Sequence, residues 1–184
     1  MHSTIQDILP LLERIAVAQE TIANPAVQEG FFEYGKKVFC NVTKGNSDGW
    51  YSLQDGIATT QPPVFRGKIV SISFPTVERN NKNVCKFHLV MQASGQTVVF
   101  ESGYDCFFSK TILAAVAAAP SEVLTEWIQL ATYIKELETG NKTLAVSVRA
   151  SDGTKLSSEW KNEDDWKAIA AVAIANVNEA NGRS

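Results

Sequence analysis

The clearest pattern in the chain is an alternation of apolar and polar residues between positions 84 and 102. Apolar side chains occupy every second position of its first half, at Cys85, Phe87, Leu89 and Met91. The positions between them hold basic or polar groups, at Lys86, His88 and Gln92. Because side chains of a strand point alternately to its two faces, this period of two predicts a half-buried strand. Ser94-Gly95 then predicts a tight turn, so we expect a hairpin of strands 84–93 and 96–102.

This hairpin lies inside a longer run of predicted elements. "FRGKIVSISF" predicts a long strand in which Gly67 permits a bend or bulge, and "TVERNNKN" predicts a polar connection after it. After the hairpin, "SKTILAAVAAAP" and "SEVLTEWIQL" predict two helical segments, the second beginning after Pro120. "ATYIKELE" and "TLAVSVRAS" predict two further strands, and "TGNK" between them predicts a reverse turn.

The N-terminal third predicts a helix and a pair of strands. A capping-box sequence and helical spacing of apolar residues predict a helix at residues 4–23, which Pro10 either bends or divides in two. "FFEYGKKVFCNVT" predicts a strand, and the "KGNSDGW" that follows predicts a turn toward a second strand at Trp50-Tyr51. "GIATTQPP" predicts a loop, because its two prolines cannot donate to a sheet.

The C-terminal segment predicts one amphipathic helix. Asn162 is a possible N-cap, acidic residues follow it in the first turn, and Gly182 lies just past the end. An apolar stripe is predicted at Trp166, Ile169, Ala170, Ala173 and Val177. Additional alanines make the apolar arc wider than a narrow stripe requires, so we expect the helix to be buried against its own core or against another subunit.

The element order from Phe65 to Ala150 is strand, strand, strand, helix, strand, strand. This order resembles that of OB-fold nucleic-acid-binding domains, whose helix between strands three and four closes the bottom of a five-stranded barrel. An α+β sheet with a helix across one face gives the same order.

We therefore expect an α+β protein with a five-stranded OB-like antiparallel barrel and N- and C-terminal helical additions. The predicted organisation is a single domain over 1–184. It comprises an N-terminal helical extension (1–30), a strand-rich hairpin and loop (31–64), the OB-like core (65–150) and the C-terminal helix (151–184).

Composition and charge are those of an ordinary globular protein. The 184 residues carry a formal net charge of −3, and one fifth of them are charged. The start of the chain lacks the pattern of a secretory signal and no apolar run approaches the ~18 residues of a membrane span, so we expect a cytoplasmic protein without a membrane partner. Residues 31–110 hold nine basic and six acidic side chains. This mild bias suits a polyanion, and it is equally common on ordinary surfaces.

Catalytic and metal-binding patterns are missing from the sequence. Three cysteines without CxxC spacing favour reduced thiols over disulfides or a zinc site. Any imidazole chemistry depends on His88, since His2 lies at the terminus. Cys106 could pair with His88, but no glycine-rich turn adjoins it to supply oxyanion donors. We therefore expect no catalytic residues, no metal, no cofactor and no enzymatic activity.

The resemblance to OB folds implies binding of single-stranded nucleic acid, DNA in preference to RNA. Such domains use cations along the strand backbone and aromatic rings beneath the bases. The predicted nucleic-acid-binding residues are Arg66, Lys68, Phe74, Arg79, Lys82, Lys86, His88, Tyr133 and Arg149. Aromatic residues at such positions are also commonly packing residues.

Two other classes of function stay open. A protein-interaction or assembly module would use the flanking amphipathic helices, with a homo-oligomer or a protein partner held through the C-terminal helix and no role in nucleic-acid binding. A small-ligand carrier is disfavoured, because the residues predicted to face inward are bulky enough to fill a barrel.

Overall fold

Strands dominate the computed structural model of this protein, which describes residues 35–42, 49–157 and 159–183. All of these belong to one compact unit, Tyr34–Ser184. The helix predicted at 4–23 and most of the turn predicted at 44–50 lie outside the described residues. The strands are β1 (Lys36–Phe39), β2 (Tyr51–Gln54), β3 (Ile57–Thr60), β4 (Val64–Ser73), β5 (Thr76–Arg79), β6 (Lys82–Ala93), β7 (Gln96–Gly103), β8 (Ile128–Glu136), β9 (Lys142–Arg149) and β10 (Lys155–Leu156). The helices are α1 (Phe107–Ala118), α2 (Ser121–Leu124) and α3 (Trp166–Ala180).

The strands join into one open sheet in the order β10-β9-β8-β4-β6-β7-β1-β2-β3, and β5 pairs with β6 beside this path. Among the described strands, the ladders are antiparallel except that of β1 with β7, which is parallel. Lys36–Phe39 lie opposite Val98–Glu101 and occupy the second edge of β7. A closed barrel would need this edge of β7 for pairing with β9, and β1 occupies it instead.

The α+β class is confirmed, whereas the expected closed, five-stranded, antiparallel barrel is wrong. The sheet has ten strands, one of its ladders is parallel, and the described strands do not close on themselves. The physical reason is that β1, from outside the predicted core, supplies the backbone hydrogen bonds that a barrel would take from its own last strand.

The centre of the sheet is β4, which has two partners. Its first part, Val64–Gly67, pairs with β8, and the part from Lys68 to Ser73 pairs with β6. The ladder with β6 shifts register between Ile69 and Ser71. A Cβ atom on Gly67 would lie 2.7 Å from the carbonyl oxygen of Gln92. The missing side chain thus permits the close approach at the point where β4 changes partner.

The predicted hairpin is confirmed, and its alternation defines two faces of the sheet. Phe87, Leu89 and Met91 are fully buried, and they define what we call the inner face. Ser94 and Gly95 form the turn with φ values of 50° and 77°, as a two-residue hairpin connection requires. Helix α1 joins the core formed on the inner face through buried residues that include Ile112, Leu113 and Val116.

Three local predictions are wrong. "TVERNNKN" is not a plain connection, because β5 pairs with the start of β6 through Asn80 and Asn81, which both adopt left-handed φ. "GIATTQPP" contains β3, which Asp55-Gly56 joins to β2 in another two-residue turn. "SEVLTEWIQL" is helical only as far as Leu124, because pairing with β4 makes its end part of β8.

Helix α3 packs against α1 and the core. Ala173 and Val177 are buried, and the other residues of the predicted stripe pack against the same core. The side-chain amide of Asn176 donates to three carbonyl oxygens at the end of α1, at 3.1 Å each. Asp165, rather than Asn162, caps the helix by accepting from the amide of Ala168. Burial within the unit thus accounts for the predicted stripe. Across the described segments, no helix is long and apolar enough to cross a membrane.

Gly67→Ala tests the close approach at the change of partner. The added methyl group must displace the backbone at Gln92, so we expect a loss of about 1–3 kcal/mol in the free energy of unfolding, measured by chemical denaturation. Gly103→Ala is the control, since its Cβ would meet nothing nearer than 3.9 Å. Equal stabilities of the two variants would contradict this account of Gly67.

Candidate nucleic-acid interface

The side of the sheet opposite the core, here called the outer face, carries most of the predicted binding residues. Register defines it, since directly opposed residues of a ladder project to the same side. One row crosses six strands, through Ser73, His88, Glu101, Phe39, Tyr51 and Thr60. Lys86, Gln92 and Lys68 lie on the same side.

Glu101 is the centre of a charged cluster in this row. Its Oε2 lies 2.9 Å from Nζ of Lys37 and 3.0 Å from Nε2 of His88, and its Oε1 lies 3.6 Å from Nη2 of Arg79. These four residues are the Glu101 cluster. Glu101 is only 5% exposed although it lies on the polar face, so the surrounding basic groups cover it.

The cations decide the ionisation of Glu101. Burial by itself raises the pKa of this carboxyl group, but hydrogen bonds from Lys37 and His88, together with their charges, hold the pKa below its usual value near 4.5. The carboxylate therefore stays ionised and offsets part of the positive charge of the cluster.

The hairpin of β5 and β6 bends over the outer face. Arg79 lies opposite Lys82, six residues before His88 along β6. Six residues of a flat strand span roughly 20 Å, more than the side chains of Arg79 and Glu101 can bridge together. Their contact therefore requires the hairpin to fold back, and this makes the face concave beside the Glu101 cluster.

Two aromatic rings extend the row beyond Glu101. Phe39 and Tyr51 stack with ring centroids 5.4 Å apart and an interplanar angle of 25°, and both are half-buried. Nζ of Lys37 lies 5.9 Å from the centroid of Phe39. A stacked, accessible aromatic pair thus adjoins a group of cations, the combination that binds bases and phosphates of single strands.

A second group of polar side chains, three of them cationic, lies on the same side, at the other end of β4. Arg66, Gln129, Arg149 and Lys155 occupy opposed positions on β4, β8, β9 and β10, and we call them the Arg66 row.

Two of the three cations of the Arg66 row, Arg66 and Arg149, are held in place. The guanidinium of Arg66 lies 5.3 Å from the ring centroid of Trp127, and its Nε donates to Oε1 of Gln129 at 2.7 Å. Nη1 of Arg149 donates to the carbonyl oxygen of Gly153 at 2.9 Å.

The structure separates the predicted site residues into groups. Arg79 and His88 belong to the Glu101 cluster, whereas Arg66 and Arg149 belong to the Arg66 row. Lys68 lies between the groups on β4, Lys86 lies two residues before His88, and Lys82 lies opposite Arg79. Tyr133 is 52% exposed and lies on the side of β8 that carries Gln129. Phe74 instead packs against Phe87 and the core.

Sequence reasoning did not select Lys37, Phe39, Glu101, Trp127 and Lys155 as site residues. The alternation in "KKVF", with buried Val38 between Lys37 and Phe39, is a local signal that could have placed those two on a polar face. No local signal identifies Glu101, because its cations come from three other strands.

The cysteines are free thiols, as predicted. Cys40 is buried, and burial raises the pKa of its thiol well above the usual value. The sulfur of Cys106 lies 3.5 Å from the hydroxyl of Ser109 at the start of α1, while His88 contacts Glu101. Within the ranges that the structure covers, no group of three His, Cys, Asp or Glu side chains is placed to hold a metal ion.

Glu101→Gln tests the charge balance of the cluster. Because the folded-state pKa is below the unfolded-state value, the carboxylate stabilises the fold above pH ~4.5, and this contribution is lost as the pH falls through the folded pKa. We expect Glu101→Gln to cost about 1–3 kcal/mol at neutral pH and to flatten the acid-side loss of stability, measured by urea denaturation between pH 3 and 7. Glu179→Gln on the exposed side of α3 is the control. An acid-side profile that Glu101→Gln leaves unchanged would refute this role.

Comparison with protein-family models, with curated proteins and with solved structures found no match to this chain.

Proposed function

We propose that this protein binds single-stranded nucleic acid, DNA in preference to RNA, on the outer face of its sheet and without catalysing a reaction. The observation that carries the proposal is the row in which His88 and Glu101 adjoin the stacked pair of Phe39 and Tyr51. The cations can bind the phosphates of a single-stranded nucleic acid, and the adjacent rings can stack with its unpaired bases.

The charge of this face favours an anionic ligand. In the Glu101 cluster two permanent cations and one histidine face a single carboxylate. Lys68 and Lys86 add charge on the same side. Since Glu101 is covered and the cations are more exposed, a ligand approaching from solvent meets the positive groups first.

The proposed likeness to OB folds has support in the order of the strands. Five of them run β9-β8-β4-β6-β7, and α1 lies in sequence between β7 and β8. OB folds bind oligonucleotides on the face of their second and third strands. The strands in those positions here are β6 and β7, which carry His88 and Glu101.

Tyr51→Ala and Lys37→Ala test this proposal. With a fluorescent oligothymidylate of about fifteen nucleotides, we expect Tyr51→Ala to weaken binding by roughly tenfold through lost stacking. Lys37→Ala should reduce the slope of log affinity against log salt by about 0.7, the contribution of one phosphate contact. Fluorescence anisotropy over a salt series measures both effects.

Lys167→Ala on α3 is the matched control, since it removes one exposed lysine away from the sheet. Oligouridylate and duplex DNA of equal length should bind more weakly than oligothymidylate. If the wild-type protein binds none of these ligands at low salt, or if Tyr51→Ala and Lys37→Ala behave as Lys167→Ala does, the proposal is wrong.

A further inference from the structure

The Arg66 row differs from the Glu101 cluster in its charge balance. Among the ion pairs of the described residues, none involves Arg66, Arg149 or Lys155. A carboxylate in the adjoining turn, that of Asp152, accepts a hydrogen bond from the amide of Thr154 at 2.7 Å. Across the described residues, no carboxylate is thus within ion-pair distance of these three cations, whereas Glu101 is within that distance of Lys37, Arg79 and His88 in its cluster.

The row is also arranged in advance for an anion. The bond from Nε to Gln129 and the contact with Trp127 fix Arg66, and its terminal Nη groups have no hydrogen-bond partner among residues 35–42, 49–157 and 159–183. Arg149 is fixed in the same way by Gly153. A guanidinium held by one nitrogen with the others open can donate to a phosphate without first losing side-chain freedom.

An aromatic ring accompanies these cations. Trp127 is 37% exposed although it is a large apolar side chain, and it immediately precedes β8. Bases stack on indole rings and on guanidinium planes alike, so the pair of Trp127 and Arg66 offers a platform for one base.

The row and the Glu101 cluster lie on one continuous face. Arg66 and Lys68 project to the same side of β4, and Lys68 is opposite Gln92, which shares the outer side of β6 with His88. From Arg66 to Ser73, the residue beside His88, is seven residues of β4, or roughly 23 Å. An oligonucleotide within the range of about 4–16 nucleotides that one OB fold binds is long enough to span this length, whereas one of about three nucleotides is not.

We propose that the Arg66 row and Trp127 form a second contact for the same nucleic acid, beyond Lys68. This second contact binds phosphates and one base of the nucleic acid. This inference rests on the proposed function. It adds the path of the ligand and a second contact with it. Two linked contacts bind one long ligand more tightly than either contact binds a short one.

The test compares oligothymidylates of about three and about fifteen nucleotides. The long ligand reaches both contacts at once, so Arg149→Ala combined with Lys155→Ala should weaken its binding by tenfold or more and reduce the salt slope by about 1.4. Trp127→Ala should weaken it by roughly fivefold or more. The wild-type protein should bind two molecules of the short ligand, one at each contact. The variant with Arg149→Ala and Lys155→Ala should bind one, as measured by titration calorimetry.

Controls separate loss of contact from loss of fold. Lys161→Ala combined with Lys167→Ala removes two lysines near α3 and should leave binding unchanged. Arg149→Lys combined with Lys155→Arg keeps both charges and should keep the salt slope. Circular dichroism melting checks the fold of every variant.

The outcomes also separate this inference from the proposed function. Suppose that Tyr51→Ala weakens binding of the long ligand, while the Arg149 and Lys155 double variant binds it as tightly as the Lys161 and Lys167 double variant does. The second contact is then overturned and the first stands. If the wild-type protein binds neither ligand, the proposed function is wrong and the second contact falls with it.

Discussion

The change of partner along β4 is the constraint on which the rest of the sheet depends. Strands β8, β9 and β10 join the structure through Val64–Gly67, and β6 and the strands beyond it join through the following residues. Because a side chain at Gly67 would collide with the backbone at Gln92, only a residue without Cβ lets the two halves approach so closely. The position of the Arg66 row relative to the Glu101 cluster is set at this junction, since both lie on the outer side of strands that meet there.

Charge is distributed unequally over this face, and the difference has a structural cause. Glu101 projects from β7 into the space that Lys37, Arg79 and His88 reach from β1, β5 and β6. A covered carboxylate is costly unless it is compensated, so these cations are partly committed to the fold. The Arg66 row has no comparable carboxylate in the described part of the chain. Arg66 is held by an amide and a ring, and Arg149 by a carbonyl oxygen. Neutral partners orient these groups without reducing their charge.

Prediction from the sequence was accurate where the deciding interactions are local. The alternation at 84–93 and the Ser94-Gly95 turn specify a hairpin within nineteen residues, and the structure has it. The stripe of α3 was predicted correctly for the same reason. The end of "SEVLTEWIQL" was assigned wrongly because its backbone pairs with a strand some sixty positions earlier, and tertiary pairing overrides helical preference. The two-residue turn at Asp55-Gly56 was a local signal that the prolines after it obscured.

The sequence by itself determined the α+β class, the hairpin, the stripe of the last helix and the strand positions of Arg66, Lys68, Lys86, His88 and Arg149, because each depends on the period or the turn chemistry of neighbouring residues. It did not place Arg79 and Lys82 on strands. The tertiary structure alone decided that the sheet stays open, since β1 occupies the edge of β7 through a parallel ladder. It also decided which cations act together. Lys37 and Glu101 are 64 positions apart, and Arg66 and Gln129 are 63 apart. Contacts over such separations depend on how the strands are ordered in space, and no pattern within a short window of sequence specifies that order.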